Sequence, residues 1–205
     1  MESLGVVLSN VANLFGEPDT GGELVTQAII GTSLAIEEST DGWHYARLPD
    51  QYHAWIEAKH VREYAQGEPA YASEGQIAEI QELLAFLHSR PDDTSRAPAM
   101  QVTIGARLEV AEEHEERVRV VLPDGSALWM RRNDVEIKEG NSPRPRGTVQ
   151  QVLETAKRFL GLPYLWGGTT PLGIDCSGFV QLSYHLHGVS LLRDSSIQYT
   201  LSLIH

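Results

Sequence analysis

Gly173-Ile174-Asp175-Cys176-Ser177-Gly178 runs directly into Phe179, Val180, Leu182, Ser183 and Leu186. That apolar spacing predicts a helix beginning at the cysteine. Just upstream, Tyr164-Leu165-Trp166-Gly167-Gly168 and Gly173 supply glycines for a tightly bent loop. A thiol placed where a helix begins has a specific chemical use. The free N–H groups and the dipole of the first turn stabilise negative charge, and the thiolate is the nucleophilic form. The same N–H groups, with that of Cys176, suit a developing oxyanion. A lone cysteine is more often a small buried hydrophobe, and Asp175 has a plain use as a helix cap. From these residues alone, nucleophile and structural thiol both stand open.

Working back toward the N-terminus, Thr148 and Gln151 have capping-box spacing. Val149, Val152, Leu153, Ala156, Phe159 and Leu160 form a helical apolar face, with Gly161 and Pro163 as stops. Before them, residues 140–147 are rich in Pro, Gly and polar side chains and read as a linker.

Earlier still lies an internal repeat: residues 30–61 align without gaps to 104–135, at an offset of 74. Ile30-Gly31 matches Ile104-Gly105, Leu34 and Ile36 match Leu108 and Val110, and Leu48-Pro49-Asp50 matches Leu122-Pro123-Asp124. Trp55 matches Trp129, and Val61 matches Val135. Each copy alternates with period two and breaks at turn residues, so each predicts a small β-barrel. Between the copies, Ser73 is a candidate cap, and Ile77, Ile80, Leu83, Leu84 and Leu87 predict a helix ending at Arg90-Pro91-Asp92-Asp93. The expected division is a first barrel over 1–66, a helical linker over 67–99, a second barrel over 100–139, a linker over 140–147 and a third unit over 148–205.

The formal net charge of −12 over 205 residues argues against a nucleic-acid partner and against docking on an anionic membrane. No stretch is apolar for long enough to be a membrane helix. One cysteine forms no internal disulfide, and no cluster has metal-ligand spacing, so neither metal nor cofactor is expected. Met1-Glu2-Ser3-Leu4-Gly5 lacks the basic start of a signal peptide. The expectation is a cytoplasmic monomer, or an extracytoplasmic protein if the true start lies upstream.

Tyr164-x-Trp-Gly-Gly168, Asp175-Cys-Ser-Gly-Phe-Val-Gln181 and Leu192-Arg-Asp-Ser-x-x-Gln198, in that order, resemble the NlpC-type cysteine peptidases, papain-like hydrolases of bacterial cell walls. The resemblance covers about 148–200, the first half of such a domain. The two repeats resemble the bacterial SH3-like domains that accompany these enzymes. Two SH3-like barrels followed by an α+β papain-like domain are therefore expected. The layout is similar to the γ-D-glutamyl-L-diamino acid endopeptidases, whose substrates are peptidoglycan-derived peptides. The resemblance implies that Cys176 attacks the γ-glutamyl amide and that Tyr164 assists the oxyanion hole. It implies that Asp175, Ser177, Asp194 and Ser195 hold the free N-terminal amine of L-Ala, with Glu23 and Tyr52 of the first barrel closing that pocket. Arg193 is read as structural, paired with Asp194 or a neighbouring loop.

Such a peptidase needs a base, normally histidine. His185 and His187 lie along the helix that Cys176 begins, about 14–17 Å away at 1.5 Å per residue. His44, His53, His60, His88 and His114 belong to the earlier units, and His205 follows too soon. The chain is expected to stop before the catalytic histidine and to be inactive alone. Leu201-Ser202-Leu203-Ile204-His205 also reads as the translation of a transposase sequencing adapter, so residues 201–205 are expected to be foreign to the gene. Two other readings stay open: a wall-peptide binding module in which Cys176 is incidental, and a thiol acyltransferase or amidase on the same fold.

Overall fold

The computed structural model describes residues 3–92, 97–140 and 142–202, the last two by backbone alone. The first unit holds seven strands: β1 (Ser3–Val7), β2 (Val11–Phe15), β3 (Leu24–Ile29), β4 (Ser33–Thr40), β5 (Trp43–Arg47), β6 (His53–Glu57) and β7 (Val61–Glu63). They pair antiparallel in the order β3-β2-β6-β5-β4-β1-β7. Alternate residues point inward, so Val7, Leu14, Leu34, Ile36, Ala46, Leu48, Ile56 and Val61 form one core.

The second unit contains β8 (Gln76–Ile80), β9 (Leu84–Leu87), β10 (Met100–Thr103), β11 (Arg107–Glu113), β12 (Arg117–Val121), β13 (Ala127–Arg131) and β14 (Val135–Glu139). Its main sheet runs β13-β12-β11-β8-β14, and β9 pairs with β10. The repeat is exact at the level of elements. β4, β5, β6, a 3-10 turn and β7 begin at 33, 43, 53, 58 and 61; their counterparts begin at 107, 117, 127, 132 and 135. A bulge between Ile36 and Glu38 recurs between Val110 and Glu112.

The expected helix over 73–90 is replaced by β8 and β9, and the second barrel therefore begins at Gln76 rather than 100. Two facts explain the misreading. β8 lies between β11 and β14, so Ile77, Ala78, Glu79 and Ile80 are all buried and show no alternation. β9 does alternate, with Ala85 and Leu87 inward and Phe86 outward. Two strands four residues apart mimic a helical stripe, and only pairing with distant strands decides between them.

The third unit has α1 (Val149–Lys157), a two-residue hairpin of β15 (Thr169–Thr170) and β16 (Gly173–Ile174), α2 (Cys176–His185) and α3 (Ser195–Ser202). The capping box forms as expected: Thr148 Oγ1 accepts from the Gln151 N–H, and Gln151 Oε1 accepts from the Thr148 N–H. Of the expected apolar face, Val152 and Phe159 are buried, whereas Val149, Leu153 and Leu160 are exposed. Residues 203–205 of the tail singled out above lie outside the described residues, as do Met1 and Glu2.

The repeated Ile-Gly turn docks each barrel on the unit that follows it. Ile30, in the first barrel, packs into the core of the second with Ile80, Leu108 and Leu122. Its counterpart Ile104, in the second, packs into the third with Phe159, Ile174, Phe179, Leu182 and Leu186. Both following glycines have left-handed backbone, Gly31 at φ 81° and Gly105 at φ 82°. A Cβ on Gly31 would lie 2.8 Å from the Arg107 carbonyl, and one on Gly105 3.1 Å from Leu186.

The linker is equally fixed. Arg144 bonds Glu79 through Nε at 3.2 Å, the Gly105 carbonyl through Nη2 at 2.9 Å, and His185 Nε2 through Nη1 at 2.7 Å. Glu79 is 2% exposed and also meets Arg107 at 2.7 Å and Lys138 at 3.4 Å. Burial opposes its ionisation, but the three cations outweigh that and hold its carboxyl below the usual range.

Candidate active site

Cys176 is the first residue of α2 and is exposed. Asp175 caps the helix: its Oδ1 accepts from the Gly178 N–H at 2.7 Å. Its Oδ2 accepts from the Gly167 N–H at 3.0 Å and from Arg193 Nη2 at 2.6 Å, and Oδ1 also meets Arg193 Nη1 at 3.2 Å and the Ser177 hydroxyl at 3.2 Å. Burial pushes the Asp175 carboxyl up, yet the Arg193 pair and the two backbone donors outweigh it and hold it low.

Gly178 could be nothing larger, because a Cβ there would stand 2.3 Å from the Gly168 carbonyl oxygen. The two glycine motifs therefore press against each other and fix the loop to the helix start.

The first barrel forms a wall of this site. Trp166 Nε1 donates to Glu23 Oε1 at 2.9 Å. The Thr169 N–H donates to Gln27 Oε1 at 3.0 Å, and Gln181 donates to Asp50 Oδ2 at 2.8 Å. Gly167, at φ 75°, lets the loop pass so near β3 that a Cβ would be 2.4 Å from the Leu24 carbonyl oxygen.

Tyr52, half-buried, is held protonated above the usual tyrosine range. Desolvation is the first cause, followed by the carboxylates of Asp194, Glu23 and Asp50, with Arg193 opposing. Tyr52, Glu23 and Asp194 thus share one neighbourhood although their positions span 23–194. Tyr164 is 65% exposed and its backbone bridges to Ile174, two residues before Cys176. The Asp194 carbonyl accepts from the Ile197 and Gln198 N–H groups and starts α3, with Ser195 exposed at its first position.

Arg193, expected to pair with Asp194 or a neighbouring loop, pairs with Asp175 at the end of the loop before α2. Asp175 and Ser177 are buried with their polar atoms engaged: five donor contacts saturate the carboxylate, and the Ser177 hydroxyl lies between Asp175 and Arg193 Nη1.

The sequence reading missed Thr26 and Gln27, which meet the loop from β3 with no motif to mark them. It quoted Gln198 without a role. The Gln198 amide bonds the carbonyls of Ser177 at 3.3 Å and Leu192 at 2.7 Å, tying α3 to the start of α2.

No described histidine bonds Cys176. His185 meets Arg144 and His187 meets Thr155. Among the described residues, no cluster of three His, Cys, Asp or Glu side chains suits a metal ion. A cavity of about 350 Å³ lies where the three units meet, lined by Ile30, Arg144, Gln181, Leu182 and His185. The last three sit 5, 6 and 9 residues after Cys176, which puts them on the opposite face of α2. That cavity holds no thiol and is not the site.

A helix-start cysteine behind a glycine hairpin, walled by an SH3-sized barrel, agrees with known proteins. Residues 161–204 match the NlpC/P60 family. The C-terminal segment is thus similar to the NlpC/P60 family along those residues. Residues 14–61 match the bacterial dipeptidyl-peptidase Sh3 domain, and 85–137 match the YKFC SH3b2 domain. The latter match includes β9, in line with the strands found there.

The chain with its NlpC/P60 segment is homologous to the γ-D-glutamyl-L-lysine dipeptidyl-peptidase of Bacillus cereus, at 30% identity over 184 residues, 86% of this chain and 54% of that protein. It thus spans about half the length of that relative. Dipeptidyl-peptidase 6 of Lysinibacillus sphaericus is 28% identical over 94% of this chain and 72% of its own. The crystal structure of an NlpC/P60 family protein from Bacillus cereus ATCC 10987 superposes with a TM-score of 0.81 at 24% identity, over 95% of this chain and 76% of that one. That likeness shows a shared fold along the aligned length.

Proposed function

We propose that the protein carrying this chain is a cysteine peptidase that cleaves the bond between D-γ-Glu and a diamino acid in peptidoglycan peptides bearing a free L-Ala. The observation that carries this reading is Cys176: an exposed thiol at the first residue of α2, beside a wall contributed by another domain. Its thiolate attacks the γ-carbonyl carbon. The oxyanion is met by the Cys176 N–H and the Tyr164 hydroxyl, the amine leaves with a proton, and water then hydrolyses the thioester.

The terminal amine of L-Ala is bound by Glu23, Tyr52, Asp194 and Ser195. The carboxylates that raise Tyr52 are the complement of an ammonium, whose arrival relieves their repulsion. Asp175 and Ser177 support this pocket from behind. Among the described residues no histidine meets the thiol, and this chain alone is expected to bind without turnover.

The experiment compares L-Ala-γ-D-Glu-L-Lys with its N-acetylated form. The substrates are offered to the product of the gene read through its downstream sequence, to the 205-residue chain, and to the Cys176→Ser variant of the longer protein. Release of L-Ala-γ-D-Glu from the free-amine peptide alone, by the longer protein alone, is expected. Equal cleavage of the acetylated peptide would refute the amine pocket. Cleavage by Cys176→Ser would refute the nucleophile.

A further inference from the structure

Arg193 is 2% exposed and every nitrogen of its guanidinium is engaged. Nη2 and Nη1 grip the two oxygens of Asp175, at 2.6 and 3.2 Å, and Nη1 also donates to Ser177 Oγ at 2.7 Å. Nε reaches in the other direction, to Thr26 Oγ1 at 3.1 Å on β3 of the first barrel. Thr26 is itself 2% exposed. The Gln198 amide holds the Arg193 carbonyl at 3.4 Å together with that of Ser177 at 3.3 Å, so backbone and side chain of Arg193 are both tied to the start of α2.

We propose that Arg193 is a positioning residue that makes the setting of the nucleophile depend on docking of the first barrel. The proposal rests on the peptidase reading of Cys176. A structural ion pair would be complete with Asp175 alone. The additional arm joins Arg193, and through it the residue next to the nucleophile, to Thr26, 167 positions before Arg193 in the chain. Only a planar guanidinium serves three directions at once; a lysine supplies the charge without the fork.

The charge matters as well as the geometry. Asp175 adjoins Cys176, and among the described residues Arg193 is its ion-pair partner. Without Arg193 the carboxylate keeps only the neutral donors of Gly178, Gly167 and Ser177, and the seat of the nucleophile at the start of α2 loosens. When the barrel is undocked, Arg193 loses its outer anchor and its grip on Asp175 loosens.

Cys176 is the only cysteine in the chain, so iodoacetamide reports on a single thiol. At pH 7, Arg193→Gln is expected to slow alkylation of the folded protein about tenfold, the lower end of what a hydrogen bond to a charged group contributes. Arg193→Lys should recover part of that loss. Thr26→Val, entirely within the barrel, should slow alkylation about threefold, the lower range for one hydrogen bond. In the longer enzyme all three should lower kcat and leave KM for the peptide unchanged.

If Arg193→Lys and Thr26→Val lower the melting temperature but alkylate at the wild-type rate, Arg193 is merely structural and the proposal falls. Should Arg193→Gln not fold, these two variants decide. If the longer wild-type protein cleaves no peptide while the alkylation order holds, the peptidase reading fails and the positioning role stands.

Discussion

Replacing Glu79 by Gln tests how the second barrel is bound to the linker. The Glu79 side chain is 3% exposed and sits among three cations, Arg107 at 2.7 Å, Arg144 at 3.2 Å and Lys138 at 3.4 Å. Glutamine keeps the shape and removes the charge. Lys138 has another partner in Glu136, at 2.9 Å, and loses least. Arg144, 11% exposed in its side chain, is left without a counter-charge beside Arg107. Removing one member of a buried pair costs about 3–5 kcal/mol, mostly the price of the charge left behind. The upper half of that range is expected, because two guanidinium groups then share the site.

The assay is urea unfolding at pH 7 followed by tryptophan fluorescence, with Trp129 on β13 as the probe inside this unit. Part of the loss should return in high salt, which screens the repulsion of the less buried cations. A loss below 1 kcal/mol, or one independent of salt, would refute the reasoning. It would mean that water or other acceptors neutralise Arg144 as well as Glu79 does.

Gly178→Ala forces a methyl to within 2.3 Å of the Gly168 carbonyl, so about 1–3 kcal/mol of stability should be lost and Cys176 alkylation should change with it; an unperturbed alkylation rate would show that the loop yields freely. Ile104→Ala removes a side chain 3% exposed between barrel and helices, at a cost of about 2–5 kcal/mol. Hydrogen exchange should rise first in α2 rather than in the barrel. His185 has its imidazole held down to about 4 from 6.5, by desolvation first and then by Arg144, with Glu79 opposing and Arg107 adding, although its outer edge stays in solvent. As pH falls from 6.5 toward 4, the unfolded chain takes up a proton that the folded one refuses, so stability declines through that window. His185→Gln should remove this part of the decline, and an unchanged profile would show that other groups cause it.

The repeat made both barrels legible, because an alternating pattern preserved at a fixed offset leaves little freedom of register; their shared bulge came to light only in the structure. The motifs around Cys176 located the helix start and the cap. The strand β8 escaped notice because it is buried on both faces, and burial on both faces erases the period that marks a strand. The partner of Arg193 escaped for a different reason. Asp194 is its neighbour in sequence and Asp175 its neighbour in space, and local order in the chain carries no information about which carboxylate a buried guanidinium will meet. Thr26 and Gln27 have no pattern at all: β3 reads as a barrel strand, and its second task appears only when Arg193 and the loop before Cys176 are laid against it.

Ile30 and Ile104 bear on how such a chain lengthens and how it is made. When a segment of this kind is copied in tandem, the copy brings its own docking residue along, already aimed at whatever is encoded next. Neighbouring units then acquire a contact without needing a new surface on each. The arrangement is directional. During synthesis from the N-terminus, each barrel emerges with an uncovered isoleucine that only the following unit can bury. The first barrel thus becomes the surface on which the second settles, and the second becomes the surface for the helix that carries Cys176. Exchanging the two barrels, or inserting a third without this turn, should leave one seat empty and the thiol's helix without its foundation.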